Sequence, residues 1–229
     1  MKLRACHISD THDVNQSLNM LVPNDIDIVF FTGDMTYRGA DWELQKLLEN
    51  FKALKQRVKY IVGTLGNHEK GAEGKEAEWK QKFLDVGVIL LDHESVEIEG
   101  IKIFGSPYTP WFFDWAFSYR NPEFNLSVQD EDSRLGKHVW ENIPEDTNIV
   151  LTHGPPKFIQ DLCRSGHAGC HALRERIESI PSITHHMFGH IHESYGITEI
   201  NKVTYINSSI MNGKYNFVNK PHLFNLEVK

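Results

Sequence analysis

Five short polar clusters in this 229-residue chain carry side chains that bind metal ions: Asp10-Thr11-His12, Gly33-Asp34, Gly66-Asn67-His68-Glu69, Thr152-His153-Gly154 and Gly189-His190-Ile191-His192. Asp10 and His12 alternate, as do His190 and His192. At an extended strand tip both members of such a pair point the same way and make a chelating jaw. Carboxylate oxygen with imidazole nitrogen suits borderline divalent ions such as Mn²⁺, Fe²⁺, Zn²⁺ or Ni²⁺, and no cysteine lies within the clusters to favour a structural zinc knot. The clusters offer more ligands than one ion needs, whereas two ions sharing a carboxylate sit ~3.5 to 4 Å apart, the spacing used for phosphoryl hydrolysis. Taken singly, each cluster is also ordinary turn sequence. Five matching ligand sets in one chain have no packing explanation.

Clusters of this kind need strands to hold them. Leu3 to Ser9 is an apolar-rich run ending in a polar turn, and Asp27 to Thr32 repeats the design before Gly33-Asp34, so both read as buried strands. Behind Asp41, a good N-cap, Leu44, Leu47, Leu48, Phe51 and Leu54 recur at helical spacing, and strand composition resumes at Val58 to Val62. That makes a βαβ unit. A helix is expected from Glu76 to Val86, closed by Gly87, then a strand from Val88 to Leu91 and a hairpin turning at Glu99-Gly100. Further helices are expected over about Val128 to Asn142 and Leu173 to Ile180. Strands are expected at Asn148 to Thr152, Thr184 to Phe188, Val203 to Ile206 and Leu223 to Val228. The order predicts an α/β fold with mixed sheets, and without a repeat or linker residues 1–229 read as a single domain. Each cluster then follows a strand end, the edge where open α/β sheets bind ligands.

Composition excludes other classes. Apolar residues at 40% and charged residues at 24% are inconsistent with a fibrous or natively unfolded chain. Lys plus Arg number 24 against 31 for Asp plus Glu, and the net charge of −7 argues against an extended nucleic-acid-binding surface. Cys6, Cys163 and Cys170 are too few for a disulfide framework. With no secretory pattern at the start and no run of ~18 apolar residues, the expected location is cytoplasmic and unanchored.

In this order the clusters resemble the calcineurin-like metallophosphoesterase superfamily, whose pattern is Asp-x-His, Gly-Asp, Gly-Asn-His-Glu/Asp, His and Gly-His-x-His. The segments Ser106-Pro107-Tyr108-Thr109-Pro110-Trp111-Phe112, Thr152-His153-Gly154-Pro155-Pro156 and Phe188 to Gly196 are similar to its MPPED branch, so the resemblance spans nearly the whole chain. It implies a four-layer α/β/β/α sandwich with two mixed sheets back to back. It also implies Asp10, His12 and His192 as ligands of one metal, Asn67, His153 and His190 as ligands of a second, and Asp34 as the bridge. The implied cofactor is two divalent ions, Mn²⁺ favoured over Fe, Zn, Ni or Mg. His68, left unligated, is implied as the group that meets the scissile phosphate and protonates or stabilises the leaving oxygen. Asn67 joins it at the substrate, and Glu69 either orients His68 or faces solvent. The implied reaction is in-line attack by a hydroxide held between the ions, with no covalent enzyme intermediate. Some mammalian members of the branch carry Gly where this chain has His190, so the second metal site is expected to be complete.

Three segments keep two readings each. Arg38 sits where protein serine/threonine phosphatases carry a phosphate-clamping arginine, although Tyr37 replaces their aspartate, and a surface residue without substrate contact is the safer reading. Trp111, Phe112, Phe113, Trp115 and Phe117 form either a hydrophobic anchor or a pocket wall on which a base or aryl group stacks. Cys163 to His171 is either a third metal site or a loop leading into a helix. His7, His185 and His186 lie within strands as core or orienting groups, whereas His93, His138 and His222 read as surface residues.

The expected activity is a metal-dependent phosphoric ester hydrolase, favouring phosphodiesters of small or cyclic nucleotides, a preference that rests on the resemblance alone. A phosphomonoesterase, nucleotidase or protein phosphatase shares the same core and competes. A nuclease lacks support from a basic run, and a non-catalytic scaffold has no use for intact ligands. The expected partner is a small phosphoester substrate, with no membrane and no long nucleic acid; oligomeric state is left open.

Overall fold

The computed structural model describes residues 2–12, 17–111, 113–119 and 137–227. In the first of two main sheets β1 (Lys2–Ile8), β2 (Ile28–Thr32), β3 (Tyr60–Thr64) and β4 (Ile89–Leu90) run parallel in that order. The last strand, β11 (His222–Glu227), covers the edge of β1 antiparallel. In the second sheet β5 (Glu94–Ile98), β6 (Ile101–Ser106), β7 (Ile149–Thr152), β8 (His185–Phe188), β10 (Val203–Asn207) and β9 (Gly196–Ile200) lie side by side. Its four central strands are parallel, and its outer strands return as antiparallel hairpins.

Period-two alternation decides what each face buries. Leu3, Ala5, Ile28 and Phe30 face Ile103, Ile149 and Leu151 of the second sheet. Cys6, Ile8, Val29 and Phe31 instead meet Phe51 of α1 (Asp41–Leu54) and Phe83 of α2 (Glu76–Asp85). Beyond the second sheet Phe104, Val150 and Phe188 pack with Leu173 and Ile177 of α3 (His171–Ser179) and with Trp140. Buried clusters at helix-sheet, sheet-sheet and sheet-helix boundaries make this the four-layer α/β/β/α sandwich with two mixed sheets. The all-buried β2 reads as a continuous apolar run because both its faces are covered.

Several boundaries differ from expectation for local reasons. Asp41 is the first helical residue of α1 and Ala40 its cap. Ala40 has no side-chain acceptor, so the buried Glu43 carboxylate takes the amides of Tyr37, Arg38 and Ala40 at 2.9, 3.1 and 2.8 Å. Helix α3 starts two residues early because the Cys170 thiol caps it, accepting the Leu173 amide at 3.2 Å. The Glu99-Gly100 turn has φ of 51° and 75°, the pair a tight two-residue hairpin requires. Strand β9 was not expected; it is an edge strand with little apolar alternation. Of the helix expected over 128–142 one turn, Lys137–Trp140, is seen, and 128–136 lie outside the described residues. Among the described residues no helix is long and apolar enough to cross a membrane.

Candidate metal centre

The loops leaving β1, β2, β3, β7 and β8 are laced together at one edge. The Asp10 and His12 amides donate to the Gly33 and Asp34 carbonyls at 3.1 and 3.0 Å, and the Gly189 amide to the His153 carbonyl at 2.9 Å. Glycine makes the approach feasible. A Cβ on Gly66 would lie 2.4 Å from Asp34 Oδ1, and one on Gly189 would lie 2.0 Å from Asp10 Oδ2. Asp10, His12, Asp34 and His190 occupy left-handed backbone, with φ of 52°, 45°, 51° and 67°. Such strain in non-glycine residues collects at functional sites, where the surroundings must hold it.

Three groups of ligand atoms lie within 4.8 Å of one another: Asp10, His12 and His192; His12, Asp34 and His68; and Asp34, His153 and His190. Asn67 joins the last through its Oδ1, 2.9 Å from His153 Nε2. The tautomers are set from outside. His153 Nδ1 donates to the Thr32 carbonyl at 2.8 Å, so its Nε2 faces two further acceptors, Asn67 Oδ1 and Asp34 Oδ2, the latter at 3.3 Å. His192 Nδ1 donates to the Asn212 carbonyl at 3.1 Å and turns Nε2 toward Asp10 Oδ1 at 3.2 Å and His12 Nε2 at 3.2 Å. Acceptors converging this closely, with His153 and His192 each fixed by a hydrogen bond behind it, need a proton or a cation between them. The buried donor set of carboxylate, amide oxygen and imidazole therefore fits divalent ions at both ends of Asp34.

The electrostatics agree. Burial opposes charge on Asp10, but the His192 hydrogen bond and the charges of His192 and His153 outweigh it and hold the carboxyl far below the usual range. Asp34 is likewise buried and held far down by His153, then His12 and His68. Burial pushes His12 down to about 4 and His190 down to about 3, so both are neutral imidazoles. Burial also opposes the proton on His153, yet the Asp34 charge and hydrogen bond raise it to about 9. His192 is raised in the same manner by Asp10.

Further residues hold this cluster in place. Glu69 neither faces solvent nor touches the His68 ring: fully buried, it accepts from the amides of Gly66, Asp34 and Thr36 and from the Thr36 hydroxyl, at 2.7 to 3.0 Å. Burial and the Asp34 charge push its pKa up to about 7. His68 is oriented instead by the Tyr37 carbonyl, which takes Nδ1 at 2.7 Å, and by Trp115, stacked on it at 4.3 Å. Its amide donates to Asp34 Oδ1 at 2.8 Å, and its Nε2 lies 3.9 Å from Asp34 Oδ2. Behind Thr32, the Ser208 hydroxyl links His7 Nδ1 and His222 Nδ1 at 2.7 and 2.9 Å.

The centre opens into a cavity of about 370 Å³ walled by Trp111, Trp115, Pro155, Ile191, Glu193 and Tyr215, with Asp34, Asn67, His68, His190 and His192 at its base. Among its described lining residues there is no lysine or arginine. Arg38 is exposed and is not part of the wall. The aromatic loop serves both suggested roles: Phe117 is buried in the core, while Trp111 and Trp115 line the cavity. Phe112 lies outside the described residues.

Other expectations need correction. The Cys163 to His171 segment is a rim and a helix cap, not a third metal site among the described residues: Cys163 lines the cavity, Cys170 caps α3, and His167 Nδ1 pairs with Asp161 at 2.6 Å. His93 is not a surface residue; it is half-buried against Phe104 and Tyr108, with Nδ1 3.1 Å from Ser106 Oγ. His222 is likewise half-buried, stacked 4.4 Å from Tyr195 and pushed down to about 4 by burial. Sequence reasoning missed Tyr215, Asn212 and Ser209, whose hydroxyl donates to Asp10 at 2.8 Å. They follow β10 in a stretch without a histidine, cysteine, aspartate or glutamate, so nothing in spacing signalled them.

The family model for calcineurin-like phosphoesterases matches residues 3–194. The chain belongs to this family. Relatives include a UPF0046 protein of Caenorhabditis elegans, 31% identical with 99% of this chain and 76% of that one covered. Metallophosphoesterase domain-containing protein 1 of Homo sapiens is 28% identical over 96% of this chain and 69% of its own. A probable rhamnogalacturonate lyase C of Emericella nidulans is 34% identical over 85% of this chain, which spans 17% of that relative. A crystal structure of a Thermus thermophilus protein shares the fold, with TM-score 0.60, 12% identity and both chains fully covered. Family membership makes the chain a metal-dependent phosphoesterase that uses divalent ions.

Proposed function

We propose that this chain, acting as one domain, is a dinuclear phosphodiesterase for small esters with a nucleoside or aryl arm. In this reading Asp10, His12 and His192 hold one ion, Asn67, His153 and His190 hold the other, and Asp34 is shared. Mn²⁺ suits the mixed oxygen and nitrogen set. When bound, the ions supply Lewis-acid activation of water and neutralise phosphoryl oxygens.

The charge of the cavity wall carries the preference for a diester. A phosphomonoester brings close to two negative charges near neutral pH, a diester one. With no described lysine or arginine lining the cavity and the Glu193 carboxylate on its wall, a second substrate charge has no partner beyond the metal centre. Trp111 and the exposed part of Trp115 offer apolar surface to a base or aryl ring. His68 supplies the proton for the leaving oxygen. Its Nδ1 is committed to the Tyr37 carbonyl, so Nε2 is the atom that delivers the proton. Stacking on Trp115 holds the ring for that transfer.

The test compares hydrolysis of bis-p-nitrophenyl phosphate and p-nitrophenyl phosphate, with Mn²⁺ restored after chelation, for the wild type, Asp34→Ala and His68→Ala. Faster diester turnover, lost in both variants, is the expected result. Preference for the monoester would make the protein a phosphatase, and no turnover with any divalent ion would leave a binding scaffold.

A further inference from the structure

We infer that Tyr215 is a substrate-contacting residue whose phenolic hydroxyl donates a hydrogen bond to a non-bridging phosphoryl oxygen on the Asp10, His12 and His192 side of the centre. The inference rests on the phosphoesterase reading above. The Tyr215 ring stands edge-on to His12 at 4.9 Å and to His192 at 5.2 Å, and lies 6.4 Å from His68. It therefore overlooks ligands of one proposed ion and the proposed proton donor together. Its side chain lines the cavity and is 50% exposed, and no described protein group hydrogen-bonds its hydroxyl.

The position is built. Tyr215 sits at the tip of a tight loop with φ of 58°, a conformation unfavourable for an aromatic residue. The loop is held by Asn212, whose Oδ1 accepts the amides of Lys214 and Asn216 at 2.9 and 3.1 Å and whose carbonyl accepts the Tyr215 amide at 2.8 Å. That same carbonyl orients His192 Nδ1 at 3.1 Å. One residue thus sets both a proposed metal ligand and the tyrosine above it.

Chemistry explains the choice of a phenol. Phosphoryl oxygens need donors, and with no lysine or arginine among the described lining residues a neutral hydroxyl supplies one without the positive charge that would favour a dianion over a monoanion. Loss of a single neutral hydrogen bond weakens binding about 3- to 10-fold.

The experiment measures wild type, Tyr215→Phe and Tyr215→Ala, each loaded with Mn²⁺, for bound metal, for kcat and KM on bis-p-nitrophenyl phosphate, and for inorganic phosphate affinity by tryptophan fluorescence. For Tyr215→Phe the expected result is unchanged bound metal, kcat within about twofold, and KM and phosphate Kd both raised about 3- to 10-fold. Tyr215→Ala should lose at least as much. Unchanged KM and phosphate affinity in Tyr215→Phe would overturn the inference. So would a fall in bound metal, which would give the loop a purely structural role. If the wild type hydrolyses neither ester the phosphoesterase reading fails by itself, and the phosphate affinities of wild type and Tyr215→Phe still decide whether Tyr215 makes the contact.

Discussion

Glu69 Oε2 accepts the amide of Asp34 at 3.0 Å, fastening the loop after β2 to the loop that carries Asn67 and His68. The other donors to Glu69 are the Gly66 and Thr36 amides and the Thr36 hydroxyl, so both carboxylate oxygens serve only as acceptors. An amide cannot replace that arrangement, because one of its ends would present N–H groups to N–H groups. Glu69→Gln should therefore cost about 2 kcal/mol of unfolding free energy, close to the cost of Glu69→Ala. Urea denaturation of the two variants checks this, and a Gln variant as stable as the wild type would refute it.

His68 lies within ligand distance of His12 and Asp34, yet its Nδ1 is bound to a backbone carbonyl and its ring to Trp115. Metal content separates a ligand from an acid. His68→Asn should retain both ions while kcat on the diester falls about 10²- to 10⁴-fold, the usual worth of a positioned general acid. A drop to one bound ion would make His68 a ligand instead.

Thiol chemistry probes the cavity wall. Cys6 is buried in the core and burial pushes its thiol up to about 12, while Cys170 is buried as the cap of α3. Cys163 is half-buried at the cavity rim. A charged aromatic disulfide reagent at pH 8 should label Cys163 alone in the native protein, because reaction needs an accessible thiolate. The adduct should block diester turnover by filling the cavity, and Cys163→Ser should be active and resistant. Native labelling of two or more thiols, counted by mass spectrometry, would contradict the burial assigned to Cys6 and Cys170.

Most strands and the polar loops that follow them were legible because their signals are local. Apolar runs such as Ile28 to Thr32 end in Gly33-Asp34, and Gly189-His190-Ile191-His192 carries its ligand types within four residues. What was not legible depends on tertiary contact. Glu69 reads as either a partner of His68 or a solvent-facing carboxylate until Asp34 and Thr36 close over it. His93 and His222 read as polar surface because their apolar neighbours come from distant segments, Phe104 in one case and Tyr195 in the other. Asp41 has the residue type of a cap for α1, but Glu43 reaches back and satisfies the amides that such a cap would serve. Tyr215 has no motif, and its place above His12 follows from a turn made by Asn212.

The hydrogen bond from His153 Nδ1 to the Thr32 carbonyl has a consequence for metal uptake. With Nδ1 committed, only Nε2 is left to meet a metal ion, and in the metal-free protein Asp34 holds a proton there up to about pH 9 despite burial. Binding at Asp34, His153 and His190 must therefore displace that proton. Since the proton competes below about 9 and not above it, apparent Mn²⁺ affinity should rise about tenfold per pH unit up to that point and then flatten. Titration calorimetry at about pH 7.5 in two buffers of different ionisation enthalpy should show at least one proton released per protein. His153→Ala should lose both the proton release and one of the two ions. Mn²⁺ binding without proton release in the wild type would mean that the ion does not enter between Asp34 and His153.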